Sequence, residues 1–184
     1  TLNDGTPAGH PATNPNTVTS YTVLDPNVTL APATRTGYDF EGWYDNPGFT
    51  GTPITGFPTN DAADKHYYAK WSAAKSYTVQ WNLNDNTPVG HAANNPNTVA
   101  SYTVEDADIT VHPATRTGYT FEGWYDNPGF TGTPVTSLHT MDAENKNYYA
   151  KWSAAPNSYP VNYVLNDGTP AGHPATNPAA NLTS

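Results

Sequence analysis

Cysteine is absent from the 184-residue sequence, which excludes disulfides, thiolate chemistry and cysteine-built zinc sites. Basic residues are scarce: seven Lys and Arg stand against sixteen Asp and Glu, for a net charge of −9. No basic patch is available for a phosphate backbone, so nucleic acid is excluded as a partner. Attraction to an anionic membrane surface is disfavoured for the same reason. No apolar run approaches the roughly 20 residues of a membrane span, so no membrane insertion is expected. Charged residues make up only 12% of the chain, against about 25% in typical soluble domains. Long helical stretches are also missing, because 18 Pro and 14 Gly interrupt every candidate.

What the sequence does contain is a repeat. Gly37-Tyr38 recurs as Gly118-Tyr119 and Trp71 as Trp152, both at an offset of 81 residues. An ungapped alignment of Leu2–Trp71 with Leu83–Trp152 gives 50 identities over 70 positions. Leu165–Pro178 then repeats Leu2–Pro15 without a mismatch. Self-similarity at a fixed period marks a tandem array. The expected units are residues 1–71, lacking an opening strand, residues 77–152, which are complete, and residues 159–184, the start of a third. Polar joints lie between them at Ser72–Ser76 and Ser153–Ser158, and the units are expected to behave as separate beads.

Tyr77–Leu83 alternates apolar and polar residues, the period-2 signal of a half-buried strand. Short strands are expected at Val99–Val104, Ile109–Val111, Tyr119–Tyr125 and Tyr148–Trp152, with loops at Asn84–Asn97 and Asp126–Pro134. A single helical turn fits Asp142–Lys146. Gly123 carries a sharper inference. Phe121 and Trp124 are three residues apart, so a regular strand would send them to opposite faces. A bulge at Gly123 would bring both onto the core face, and Gly inside a strand often marks a bulge.

The run Pro113-Ala114-Thr115-Arg116-Thr117-Gly118-Tyr119-Thr120-Phe121-Glu122-Gly123-Trp124-Tyr125, with Tyr149-Ala150-Lys151-Trp152, resembles the Listeria–Bacteroides repeat, the B-repeat of internalin-type surface proteins. Pro32–Tyr44 and Tyr68–Trp71 show the same signature in the first copy. The resemblance implies a mainly β fold of tandem small β-grasp-like modules with little or no helix, found in secreted and wall-attached bacterial proteins. It brings no catalytic residues. The family's Gly-Gly turn after the first strand is replaced here by Asn3-Asp4-Gly5-Thr6-Pro7 and Asn84-Asp85-Asn86-Thr87-Pro88.

Several side chains invite a chemical reading. His10, His91 and His173 recur in Thr-Pro-x-Gly-His, yet one histidine per unit builds no metal site, and a solvated loop histidine is expected. Asp61, Asp64, Asp142 and Glu144 lack the alternating pattern and Gly of a calcium loop, so turn roles are expected. Glu41 with Asp45, and Glu122 with Asp126, are paired carboxylates, but a thin module offers no deep cleft for glycoside chemistry. No cofactor, metal or catalytic residue is therefore expected, and the chain is read as a non-enzyme. Trp43, Tyr44 and Phe49, with Trp124, Tyr125 and Phe130, could stack on a sugar if exposed, although aromatics in so small a domain usually form core. Trp43, Tyr44, Trp124 and Tyr125 are the candidate ligand-binding residues. Arg35 and Arg116 each precede a Gly turn, where a bond to loop carbonyls, a pair with Glu or stacking on a ring would suit them. Lys70 and Lys151 should point outward from the closing strand and protect its edge. A Lys–Asn isopeptide cross-link is the alternative there.

The leading functional reading is a stalk or spacer of an extracellular bacterial surface or filament-forming protein, supporting adhesion. Its partners would be neighbouring repeats of the same or an adjacent chain. The alternative is a module that binds host glycan or protein through exposed aromatics. Tyr159-Pro160-Val161-Asn162-Tyr163-Val164-Leu165 repeats the opening strand. It either belongs to a third unit or completes a sheet elsewhere by strand addition.

Overall fold

The structure, a computed structural model, describes residues 1–5, 8–86 and 90–164. The first repeat contains β1 (Ala12–Thr13), β2 (Val28–Thr29), β3 (Thr34–Arg35), β4 (Phe40–Tyr44), β5 (Gly56–Phe57) and β6 (Tyr68–Trp71). The second contains β7 (Tyr77–Asn82), β8 (Ala93–Asn94), β9 (Ser101–Tyr102), β10 (Ile109–Thr110), β11 (Thr115–Arg116), β12 (Phe121–Tyr125), β13 (Ser137–Leu138) and β14 (Lys146–Trp152). Among the described residues the one helical element is a 3-10 turn at Thr140–Asp142. It falls two residues before the expected position because Asp108 holds the Thr140 N–H at 3.0 Å and the Thr140 hydroxyl donates to the Asp106 carbonyl at 2.7 Å.

The chain is thus almost all sheet, and among the described residues no strand pair crosses from one repeat to the other. Short two-stranded ribbons, β1–β3 with β2–β5 and β8–β11 with β10–β13, flank a main sheet in each repeat. The second main sheet is four-stranded and mixed, in the order β12-β14-β7-β9. β7 runs parallel to β14, from Lys146↔Val79 to Tyr149↔Asn82, and antiparallel to β9 through Tyr77↔Tyr102 and Thr78↔Ser101. The first main sheet has only β4 and β6.

That difference shows what β7 does. β9 and the first half of β14 form only where β7 lies between them. The corresponding residues Ser20-Tyr21 and Lys65 to Tyr67, which differ from their counterparts only by His66 for Asn147, have no such strand alongside and are in no strand. Backbone donors and acceptors need partners, and a two-residue strand cannot persist without a neighbour. For the same reason the expected strand Val99–Val104 contracts to Ser101–Tyr102, the stretch that β7 reaches. The cores follow suit. The second repeat buries Val79, Tyr102, Val111, Ala114, Trp124, Leu138, Tyr148 and Ala150 as one cluster, whereas the first buries Ala33, Trp43 and Ala69.

The expected bulge is present. The β12–β14 register slips between Phe121 and Gly123, as the β4–β6 register does between Phe40 and Gly42. Gly123 takes φ 134°, a conformation that side chains disfavour. The slip turns Phe121 and Trp124 to one side, with ring centroids 5.7 Å apart. Trp124 is 1% exposed.

The two repeats also touch, which the polar joint Ser72–Ser76 did not suggest. Val104 is buried over Gly37, where an added Cβ would meet its Cγ2 at 2.4 Å. The Tyr38 hydroxyl donates to Glu105 Oε1 at 2.7 Å. Residues 159–164, expected as strand, are exposed and unpaired here. The rest of the expected third unit, with His173, lies outside the described residues.

Candidate functional site

The four aromatic residues proposed for stacking on a ligand sit inside the modules. Trp43, Tyr44, Trp124 and Tyr125 are 4%, 7%, 1% and 7% exposed. A sugar platform needs open ring faces, so the platform reading is corrected: β4 and β12 turn these rings inward. Each tryptophan also anchors a loop through its indole N–H. Trp43 donates to the Ala31 carbonyl at 2.9 Å and Trp124 to the His112 carbonyl at 2.8 Å. Trp71 donates to the Leu2 carbonyl, Trp81 to Val99 and Trp152 to Leu83. A buried ring with its polar tip on a carbonyl is a packing device. Phe49 and Phe130 are half-buried and meet Tyr44 and Tyr125 edge-on at 5.7 Å.

The arginines resolve two of their three open readings. Arg35 and Arg116 are buried. Arg35 Nε donates to the His10 carbonyl at 2.8 Å and Nη2 to the Asp4 carbonyl at 3.4 Å. Arg116 does the same with His91 and Asp85, at 2.7 and 3.2 Å. Each guanidinium stacks on the tyrosine three residues later, 4.0 Å from the Tyr38 ring and 4.1 Å from Tyr119. The planar fork thereby clamps the long loop that opens each repeat. Asp4 and Asp85 close the same loop by accepting the N–H of Ala12 and Ala93, both at 2.6 Å. That backbone donor holds the Asp4 carboxyl below its ordinary range.

The other polar candidates are structural as well. Lys70 pairs with Glu41 and Lys151 with Glu122, both at 2.9 Å across neighbouring strands. These lysines are more than a third exposed, unlike the buried lysine that an isopeptide cross-link requires. In each repeat one member of the carboxylate pair set aside as a glycoside-cleaving pair, Glu41 or Glu122, is therefore engaged by a cation. Asp61 pairs with Lys65, and Asp142 and Glu144 both bond Lys146 at 2.7 Å. Burial works against the charge on Lys146, but these two carboxylates outweigh it and raise its pKa.

His10 departs from expectation. It is 7% exposed, its Nδ1 has no hydrogen-bond partner among the described residues, and it meets Tyr38 edge-on at 6.1 Å. His91 meets Tyr119 in the same way at 6.2 Å, yet is exposed. The ring contact is the same in both modules, but Tyr38 is covered at the module junction and Tyr119 is not.

The junction is what sequence reasoning missed. One face presents Gly37 and Tyr38; the next module's turn presents Val104 and Glu105. The Tyr38 hydroxyl is pushed up to about 12 by burial and by its bond to Glu105. Positions 24 and 105 differ, as Leu and Glu, and that difference was the available signal. A groove of about 780 Å³ lies beside the first main sheet, with Val18, Tyr21, Trp43, Lys65 and Tyr67 among its lining residues, in the unit expected to lack an opening strand.

Comparison with known proteins agrees with this architecture. The profile of the Listeria-Bacteroides repeat domain matches residues 2–70 and 77–151. A protein of Evansella cellulosilytica named "Putative Gly-rich membrane protein" is 32% identical over 147 residues, covering 73% of this chain. A second protein of that organism, named "Putative membrane protein", is 31% identical over 145 residues, covering 76% of this chain. The aligned part spans only 16% and 20% of those two proteins. No solved structure matches at a comparable level. Among the described residues no helix is long and apolar enough to cross a membrane. Two profile matches, each spanning one of the two modules seen in the fold, show that the chain belongs to the Listeria-Bacteroides repeat family.

Proposed function

We propose that the chain is a non-catalytic spacer: a run of docked β modules that holds other domains of a bacterial surface protein away from the cell. The observation that carries this reading is the junction. Val104 and Glu105 of one module seat on Gly37 and Tyr38 of the one before, so successive modules are set in a fixed relation instead of swinging on a free joint. In a tandem array, stacking of neighbouring units converts copy number into length. The burial of Trp43, Tyr44, Trp124 and Tyr125 supports the same reading, because the side chains best suited to hold a ligand are spent on the cores. The names of the relatives suit a protein at the cell envelope, and an extracellular location follows from the spacer reading.

Small-angle X-ray scattering on arrays of two, three and four repeats tests the proposal. The maximum dimension should rise by a constant increment per added module. A dimension that grows only as the cube root of mass would mean that the modules collapse into a globule, and the spacer reading would fail.

A further inference from the structure

The contact between the modules is made by one turn seated on one face, and each of these parts is built twice in the chain. The face is Arg35 to Tyr38 in the first module and Arg116 to Tyr119 in the second. In both, the tyrosine N–H donates to the arginine carbonyl, at 3.2 and 3.1 Å, and the guanidinium stacks on the tyrosine ring. The turn is Thr103 to Asp106, and its copy 81 residues earlier is Thr22 to Asp25. Both turns are closed in the same way. Asp106 Oδ2 accepts from the Thr103 N–H at 2.7 Å and from its hydroxyl at 3.1 Å. Asp25 Oδ2 accepts from the Thr22 N–H and hydroxyl at 2.6 and 3.0 Å. An aspartate that bonds nearby backbone donors fixes a turn locally. The shape of the turn is therefore constant, and its two tip residues decide what a neighbour meets.

Those two residues act differently. Val104 is a wedge. It is 2% exposed, and a Cβ at Gly37 would lie only 2.4 and 2.5 Å from its two methyl groups. The first module carries Val23 at the same place, so the wedge is common to both turns. Glu105 is a latch. Its carboxylate accepts the Tyr38 hydroxyl at 2.7 Å. The first module has Leu24 there, and a leucine side chain offers no acceptor. Apolar contact is non-directional, whereas a hydrogen bond needs both distance and angle. The latch, not the wedge, thus fixes orientation. Tyr38 is also steadied from its own side, because the chain leaving the first module returns over this loop. The Lys75 N–H donates to the Gly37 carbonyl at 2.8 Å, and Lys75 Nζ pairs with Asp39 at 3.0 Å.

The geometry points to residue 105 as the determinant of stiffness at the junction. A repeat whose turn carries Val-Glu is held in one orientation on the Gly-Tyr face of the module before it. A repeat whose turn carries Val-Leu is seated there without being oriented. The partner that the face fits best is a repeat of its own kind with a carboxylate at the turn tip. This rests on the docked junction of the spacer reading and adds that stiffness is set junction by junction, by one side chain.

Pulsed electron paramagnetic resonance on the full chain tests it. The sequence has no cysteine, so nitroxides can be attached through Thr52→Cys and Thr133→Cys, equivalent exposed positions on the two modules. With Glu105 in place, the distance between labels should form one narrow distribution. Glu105→Leu should broaden it and raise the undocked-to-docked ratio about threefold to tenfold, the effect of losing one partly exposed hydrogen bond. Glu105→Gln keeps an acceptor oxygen and should restore most of the narrow population. Tyr38→Phe keeps the ring on Arg35 and should match Glu105→Leu. The double variant should go no further than either single, because both remove the same bond. Glu105 lies exposed at a turn tip, so circular dichroism should show the fold unchanged. A distribution as narrow in Glu105→Leu as in the parent, or single effects that add in the double variant, overturns the proposal and leaves the spacer reading standing. A parent distribution that is already broad overturns both.

Discussion

Gly123→Ala is the most direct probe of how the module is built. An added Cβ would meet Pro134 Cβ at 2.6 Å and Cγ at 3.0 Å, and the backbone sits at φ 134°. Forcing a side chain into such a conformation costs about 1–3 kcal/mol, and overpacking a fitted site costs about 1–3 kcal/mol more. The sum, roughly 2–6 kcal/mol, is a large share of the roughly 5–15 kcal/mol that holds a typical domain together. Native-state hydrogen exchange on the full chain separates the modules. Amides of β12 and β14 should lose protection, while those of β4 and β6 serve as the internal reference. Repeating the substitution in a Pro134→Gly background should recover the steric part and leave the backbone part. A change within about 0.5 kcal/mol of wild type, the range of an ordinary surface substitution, would refute the claim that this bulge sets the core.

Arg116→Lys should destabilise the second module by about 1.5–3 kcal/mol, because a point charge can neither bridge the His91 and Asp85 carbonyls nor stack flat on Tyr119; urea denaturation checks it. Gly37→Ala should loosen the junction, raising hydrogen exchange around Val104, whereas Gly118→Ala, with open space around it, should leave that contact untouched. In alkali, burial pushes Tyr148 up to about 12, as burial and Glu105 do for Tyr38. Their neutral forms are favoured in the folded chain, so that stability is full below pH 10.0 and is lost as the pH rises towards 12. In acid the order reverses: backbone donors lower Asp4 and Asp25, and His139 lowers Asp108, so their stabilisation holds above pH 3.8 and fades below it. A thermal melting series across pH should show a plateau with both shoulders.

The parts of this fold legible in the sequence were those decided within one module. The odd spacing of Phe121 and Trp124 demanded a bulge, and Gly123 was the one residue there that could supply it. Arg35 and Arg116 were readable as structural because each precedes a Gly turn, but the choice among loop carbonyls, Glu and a ring waited on the loop that folds over them. The lengths of short strands were not legible, since Ser101–Tyr102 becomes a strand only because β7 arrives beside it. Nor was the burial of His10, which lies edge-on to Tyr38, a residue that itself bonds the next module. Ser72–Ser76 reads as a free joint by composition, yet the Lys75 N–H is held by the Gly37 carbonyl at 2.8 Å. The gap in the first unit was expected from its lack of an opening strand, but the residues that line it, spread from Val18 to Tyr67, were not legible, because only the fold brings them together.

The parallel pairing of β7 with β14 has a consequence under load. These are the first and last strands of the second module, so a pull on its two ends draws them in opposite directions along their length. Their ladder, from Lys146↔Val79 to Tyr149↔Asn82, is then sheared as a block. The bonds between them cannot be peeled open one at a time from an end, as they would be in a hairpin pulled at its tips. A string of such modules resists stretching collectively and gives way module by module, so a surface protein built from it would keep its reach in flowing fluid.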